Sequence, residues 1–193
     1  MNQENMKQFI LERFHEMTWK LGLRRVTVSM LAKECGISNK TIYVHFKDKN
    51  EIISLSVDHF LDGIRKQIAV VDQSYDDPFE KLIRLFELSL KMADGMPEVL
   101  LYDILHFYPE IQKKMNEMFA EITHSSMEYL KLGAQIGVFK DINPGLVVSY
   151  VTGAANAVFK SEFLLKNNLS AEEAISGFRD FLLCGLLKQG KPA

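Results

Sequence analysis

Signals that start and stop helices recur along this chain, while the alternation of apolar and polar residues that marks a strand is almost absent. Asp48-Lys-Asn-Glu51 and Ser170-Ala-Glu-Glu173 are capping boxes: the cap oxygen takes up a free backbone N–H and the Glu reaches back to another. Asp77-Pro78-Phe-Glu80 and Asn143-Pro144 set a capping side chain directly before proline, whose fixed φ suits the first helical position. Between these starts the apolar residues follow helical spacing. Met6, Phe9, Ile10, Phe14, Met17 and Leu21 share one face of a helix over 4–21 that ends near Gly22. Ile53, Val57, Phe60, Ile64, Ile68 and Val71 line a long helix after Asp48. The helix over 78–93 is apolar nearly all round, which predicts a central place in its domain. Gly95 and Pro97 end it and open a short helix to about Phe107, and Pro109 opens a long one. Helices over about 144–166 and 171–187, separated from it by a turn at Gly137 to Asn143, complete the chain. The expectation is an all-α fold of about nine or ten helices, with no internal repeat and no flexible linker.

Residues 22–52 carry the most specific pattern. Thr27 caps a short helix whose inward side chains are Met30, Leu31 and Ala32. Gly36 supplies a left-handed turn residue, Ile37 pins the turn into the core, and Ser38 caps a second short helix anchored by Ile42 and Phe46. Two short helices joined through a glycine turn form a helix-turn-helix unit, and the small Ala32 permits the close crossing it needs. Burying the apolar set leaves Asn39, Lys40, Thr41, Tyr43 and His45 facing outward, a surface suited to a major groove. Asn39 offers a bidentate bond to adenine and Lys40 a donor to guanine, each worth about 1–3 kcal/mol of discrimination. Thr27, Tyr43, His45 and Lys49 are donors suited to phosphate oxygens.

Charge supports a polyanionic partner at this end alone. The chain carries −2 overall, but its first 50 residues hold nine Lys/Arg against five acids, a net of +4 that leaves −6 for the remainder. The 47% apolar and 25% charged fractions are those of an ordinary globular protein. Cys35 and Cys184 match no disulfide framework or metal-ligand spacing, and read as buried thiols of a reducing compartment. The five histidines show no ligand-spaced pairing, so no metal and no cofactor is expected. The polar start lacks a signal-peptide layout, and Asp103, Lys160 and Glu162 interrupt the longest apolar stretches; a cytoplasmic protein with no membrane partner is expected. An enzyme is disfavoured. There is no phosphate-cradling glycine loop, no nucleophile elbow and no His-Glu-x-x-His, and the paired acids Asp76/Asp77 and Glu172/Glu173 sit where helix capping explains them. A purely structural helical adaptor is the other alternative, from which salt-dependent DNA binding would separate a regulator.

The segment Thr27-Val-x-x-Leu-Ala-Lys-x-Cys-Gly-Ile-Ser, followed by Lys40-Thr-Ile-Tyr-x-His-Phe-Lys-x-Lys-x-Glu-Ile, resembles the DNA-binding head of the tetracycline-repressor (TetR) family. The resemblance covers about the first 50 residues; the remainder is similar only in length and helical content. Cys35 stands where a small Ala is commoner, a packing change. The resemblance implies a head over 1–47 and an effector-binding and dimerisation body over 48–193. It implies base contacts from Ser29, Asn39, Lys40 and Thr41, and phosphate contacts from Thr27, Tyr43, His45 and Lys49; Val44 is placed to touch a thymine methyl. Gly145, Ser149, Gly153 and Ala157 repeat at four-residue spacing, as do Gly177, Phe181 and Gly185, so that another helix can approach closely. Packing within one chain would also use such ridges; a TetR-like layout makes them a homodimer interface. One such reader contacts too few base pairs for useful specificity, and a two-fold dimer predicts a palindromic operator in double-stranded DNA. For the effector pocket the resemblance points to the body, where Tyr102, His106, Phe107, Phe119, His124, Tyr129 and Phe163 offer aromatic walls and polar handles, although each also suits plain core. Nine Met and thirteen Phe suggest a small hydrophobic or amphipathic effector, whose binding would release a repressor by shifting the fourth helix.

Overall fold

The computed structural model describes residues 3–94, 96–158 and 161–188. Among them stand ten α-helices and no strand: α1 (Gln3–Leu21), α2 (Val28–Glu34), α3 (Asn39–His45), α4 (Lys49–Ser74), α5 (Pro78–Asp94), α6 (Glu98–Phe107), α7 (Pro109–Gln135), α8 (Pro144–Val158), α9 (Ser161–Lys166) and α10 (Ala171–Leu186). The fold is all-α, as the punctuation implied. Ser170 Oγ accepts from the Glu173 amide at 3.1 Å, and Glu173 takes the Ser170 amide at 2.8 Å, closing the box that starts α10. Asp77 accepts from the Phe79 amide at 3.0 Å, and Asn143 from the Leu146 amide at 3.2 Å. The box at α4 is modified. Asp48 accepts from the Glu51 amide at 2.9 Å, but Glu51 turns to the Lys47 amide at 2.5 Å, one residue before the cap. The stretch expected as a single helix over 144–166 is helical as α8 and α9, with 159 and 160 outside the described residues, as is Gly95.

The chain forms two compact units, both discontinuous in sequence: residues 1–66 with 96–118, and residues 67–95 with 119–193. In the first, Ile10, Phe14, Val26, Leu31, Ile42 and Ile52 are almost fully buried, and α6 and the start of α7 add Leu100, Ile104 and Ile111 to the same core. The unit is therefore larger than the helix-turn-helix segment it contains. His15 of α1 lies against the Phe60 ring at 5.4 Å, and burial pushes its imidazole below the usual histidine range.

In the second unit α5 buries Phe79, Ile83, Phe86 and Leu90, and none of its residues 78–90 is exposed. The expectation of a helix apolar nearly all round is corrected: Glu80, Lys81, Arg84 and Glu87 lie on its other side and pair with Arg179, Asp72 and each other, which lets a central helix carry charge. Phe79 and Ile83 share a core with Leu130, Phe139, Val147, Leu182 and Leu186. The backbone after α7 folds sharply through Gly137, at φ +75°, and pairs with the end of α10: the Lys140 amide donates to Leu186 O at 2.8 Å and the Lys188 amide to Val138 O at 3.1 Å. This turn lays the Phe139 ring directly on Gly133, where a Cβ would stand only 2.1 Å from a ring carbon. The expectation of two buried thiols is corrected: Cys35 is half-buried, but Cys184 is exposed, because it lies on the outward face of α10 that also carries Phe181.

Candidate nucleic-acid interface and ligand cavity

Short-range chemistry builds the outward surface of the first unit. Thr27 Oγ1 accepts from the Met30 amide at 3.2 Å to start α2, and Ser38 Oγ accepts from the Thr41 amide at 3.1 Å to start α3. Between them the Gly36 amide donates to Lys33 O at 3.1 Å and the Ile37 amide to Ala32 O at 2.9 Å, with Gly36 at φ +67°. No heavy atom lies within 4 Å of a Cβ built on Gly36, so the turn needs glycine for its backbone angle and not for space. Gly36→Ala is accordingly expected to cost about 1–2 kcal/mol, read as a lower Tm in thermal unfolding.

Ile42 and Phe46 point inward at 0% and 2% exposure and hold α3 on α1 and α2. On its other side Asn39, Lys40, Tyr43 and Val44 are exposed, and Thr41 and His45 are half-exposed. Thr27 and Ser29 are also exposed, so eight of the nine residues expected at DNA share the solvent-facing side of α2 and α3. Two of them meet directly: the Asn39 side-chain amide donates to Ser29 Oγ at 2.9 Å. Thr41 Oγ1 is drawn to Ser38 Oγ at 2.9 Å. Lys20, Arg25, Lys33, Lys40 and Lys47 are exposed in the same unit and supply its positive charge.

Lys49, expected at a phosphate, has its ammonium engaged within the unit. Its Nζ donates to Leu23 O at 2.6 Å and Arg24 O at 3.4 Å, so the ammonium holds the loop between α1 and α2. Burial pushes the ammonium below the usual lysine range, with the Asp103 carboxylate pulling the other way. Asp103, on α6 and only 5% exposed, accepts from the Arg24 amide at 2.9 Å. The loop thus hangs between a cation on α4 and a carboxylate on α6. Gly22 makes room for this clamp, with φ +84° and space for no Cβ, which would meet Asp103 Oδ2 at 2.7 Å.

The second unit contains a cavity of about 240 Å³. Its walls come from α5, α7, α8 and α10 and are mainly apolar, with Leu82, Phe86, Leu90, Ile122, Val151 and Leu186 prominent. Ser89, Thr123, Ser126 and Thr152 place hydroxyls on it, and among the described residues no charged side chain lines it. Ser89 donates to Leu85 O and Ser126 to Ile122 O, both at 2.9 Å, which leaves their oxygen lone pairs as acceptors. Of the seven residues expected at a pocket, Phe119 lines this one. Tyr102, His106 and Phe107 instead form an exposed aromatic group on α6 in the first unit; the Tyr102 and His106 rings stack at 4.1 Å, and the Arg24 guanidinium sits 4.0 Å from the Phe107 ring centre. Tyr129 is buried and donates to Asp72 at 2.8 Å, while His124 and Phe163 are exposed. Helical phase explains the difference. Phe119, Ile122, Thr123, Ser126 and Leu130 occupy one side of α7, and five residues on from Phe119 His124 has rotated far off it. The small hydroxyl residues interrupting that apolar stripe are the signal by which sequence reasoning could have found the wall.

The residues expected as a dimer interface form outward faces. Gly145, Ser149, Gly153 and Ala157 on α8 are exposed, as are Gly177, Phe181 and Gly185 on α10, with Phe181 at 71%. Nothing lies within 4 Å of a Cβ built on Gly153, Gly177 or Gly185, so among the described residues these ridges do not serve packing within the chain.

Residues 10–54 match the family model of bacterial regulatory proteins, tetR family. The chain is similar to the nucleoid occlusion factor SlmA of Vibrio cholerae serotype O1, at 24% identity over 82% of this chain and 86% of the relative. It is also similar to the uncharacterized HTH-type transcriptional regulator YvaF of Bacillus subtilis, at 23% identity over 83% and 85%. Among solved structures, a putative transcriptional regulator from Saccharomonospora viridis in complex with choline shares the fold with a TM-score of 0.76, at 21% identity over 96% of this chain and 100% of that one. No helix of the described residues is long and apolar enough to cross a membrane.

Proposed function

We propose that the chain, whose residues 10–54 match the family model of bacterial regulatory proteins, tetR family, is a DNA-binding transcriptional regulator of that family and acts as a ligand-released repressor: a homodimer on a palindromic operator that lets go when a small uncharged molecule enters the cavity of the second unit. The observation that carries this reading is α3 itself, a helix anchored by Ile42 and Phe46 that turns Asn39, Lys40 and Tyr43 outward. The protein works in the cytoplasm, where the operator is. Lys47, exposed just before α4, adds a phosphate donor beside Lys49, whose ammonium is partly taken up by the loop carbonyls. The outward ridges of α8 and α10 pair two chains, and Leu146, Tyr150 and Phe181, at 50%, 68% and 71% exposure, supply apolar area for that contact.

The cavity favours an uncharged, mostly apolar effector carrying one or two polar groups, since the polar side chains among its described lining residues are all hydroxyls. The S. viridis regulator was solved in complex with choline, a cation; the described lining residues of this cavity include no carboxylate, which suits a neutral occupant better. The fourth helix contributes no residue to the cavity wall, whereas α7 contributes Phe119 to Leu130 and also places Ile111 in the core of the first unit. We therefore assign the signal to α7. A hundredfold loss of operator affinity requires about 2.7 kcal/mol of coupling between ligand and DNA.

The test is a titration of the full chain against duplexes selected from a random pool, at several salt concentrations. A palindromic consensus and an affinity falling roughly 10³-fold or more between 50 and 200 mM salt are expected, as for 6–10 phosphate contacts. A flat salt response would remove the DNA-binding reading. Neutral amphipathic compounds should raise Tm and lower operator affinity, and Ser126→Leu, which fills the cavity, should abolish both effects while leaving DNA binding in place.

A further inference from the structure

The contact between Ser29 and Asn39 joins the two helices of the reading unit through side chains both expected at base edges. Ser29 lies in the first turn of α2 and Asn39 opens α3, and the Asn39 Nδ2 to Ser29 Oγ bond spans them at 2.9 Å on the exposed face. A side-chain amide has two N–H donors and a carbonyl acceptor. One donor is taken by Ser29, which leaves one N–H and Oδ1. That pair matches adenine, which shows the N7 acceptor and N6 donor in the major groove; guanine shows two acceptors there and would set O6 or N7 against Oδ1. Other hydroxyls do not compete for the amide, because Ser38 and Thr41 are bonded to each other at 2.9 Å.

The geometry points to Ser29 as a positioning residue: it contacts no base, and it fixes the Asn39 amide so that this residue selects adenine at one position of each half-site. This rests on the regulator binding operator DNA, and goes beyond it by naming the base and the residue that sets the choice. Holding the amide in one orientation before contact removes rotational freedom that binding would otherwise have to freeze. Ser29 thus acts on specificity through Asn39, not on general affinity.

The experiment takes the full-length protein, the operator consensus selected by the wild type, and duplexes substituted singly at every position. Wild type, Ser29→Ala, Ser29→Thr, Asn39→Ala and the double variant are compared by competition binding, alongside random-sequence DNA and Tm. Asn39→Ala should erase about a ten- to hundredfold preference for adenine at one pair. Ser29→Ala should erase part of the preference at that same pair, several-fold, a larger change than at any other pair of the operator, with Tm unchanged. It should add nothing in the Asn39→Ala background, and Ser29→Thr, which keeps the hydroxyl, should retain the preference. Ser29→Ala altering a different base pair more strongly, adding independently to Asn39→Ala or changing nothing would overturn the proposal, as would guanine at the pair that Asn39 controls. Absence of salt-dependent binding by the wild type to any duplex would instead sink the regulator reading beneath it.

Discussion

Gly22→Ala is expected to lower Tm by about 6–12 °C and to weaken operator binding with it. Two costs combine. A non-glycine residue at φ +84° sits in the left-handed region, at roughly 1–2 kcal/mol. The new methyl also meets Asp103 Oδ2 at 2.7 Å and a Val99 methyl carbon at 3.0 Å, and Asp103 is buried and cannot step aside into solvent. If the carboxylate moves, the Arg24 amide loses a charged acceptor, a further 1.5–3 kcal/mol or so. About 3 kcal/mol is a conservative total, which in a protein of this size corresponds to that Tm shift. Operator affinity should suffer because the displaced loop runs directly into Thr27 and α2. Gly63→Ala is the matched control: Gly63 is helical, nothing lies within 4 Å of its Cβ, and the change should be neutral or stabilising by up to about 1 kcal/mol. Equal unfolding temperatures for the two variants would contradict the account of the loop.

The second large effect is expected at Gly133→Ala, in the other unit. Three carbons of the Phe139 ring lie between 2.1 and 2.9 Å from the position of the added methyl, and that ring is 1% exposed. Neither partner has room: Gly133 is on α7, and the Phe139 ring is wedged among core residues, edge-on to Phe79 at 6.4 Å. Overpacking of this severity costs about 3 kcal/mol or more. The backbone hydrogen bonds of 138–140 to the end of α10 should loosen together with the ring. A compensating variant separates this cause from a general intolerance of helix changes. Gly133→Ala combined with Phe139→Leu should be more stable than Gly133→Ala alone, an interaction of opposite sign to simple addition. Additive losses in the double variant would refute the proposed clash.

What the sequence disclosed and what it hid divide by distance along the chain. The caps at Thr27, Ser38, Asp77, Asn143 and Ser170 were legible because donor and acceptor lie within three residues, and the all-α fold follows from them. The helix-turn-helix was legible for the same reason, its glycine turn and both anchors falling within twenty residues. The clamp on the loop was not. Asp103 and Arg24 are 79 positions apart, Lys49 and Leu23 26 apart, and no local rule singles out one Asp or Lys among many. The charge and position of Lys49 suit a phosphate ligand, and its hold on two backbone carbonyls of the loop could not be read beside them. At the cavity, choosing residues by chemical type favoured aromatics and histidines, whereas helical phase selects modest side chains such as Ser126 and Thr152.

The discontinuity of the first unit bears on how regulators of this kind could be recombined. A chimera cut once near residue 47 would carry away the reading helices but leave behind Leu100, Ile104 and Ile111, and with them the carboxylate that holds the loop before α2. The transplanted head would then present bare apolar surface to its new host. Moving the operator preference intact calls for two seams, near 66 and across 96–118, so that the inserted stretch travels with the segment it supports.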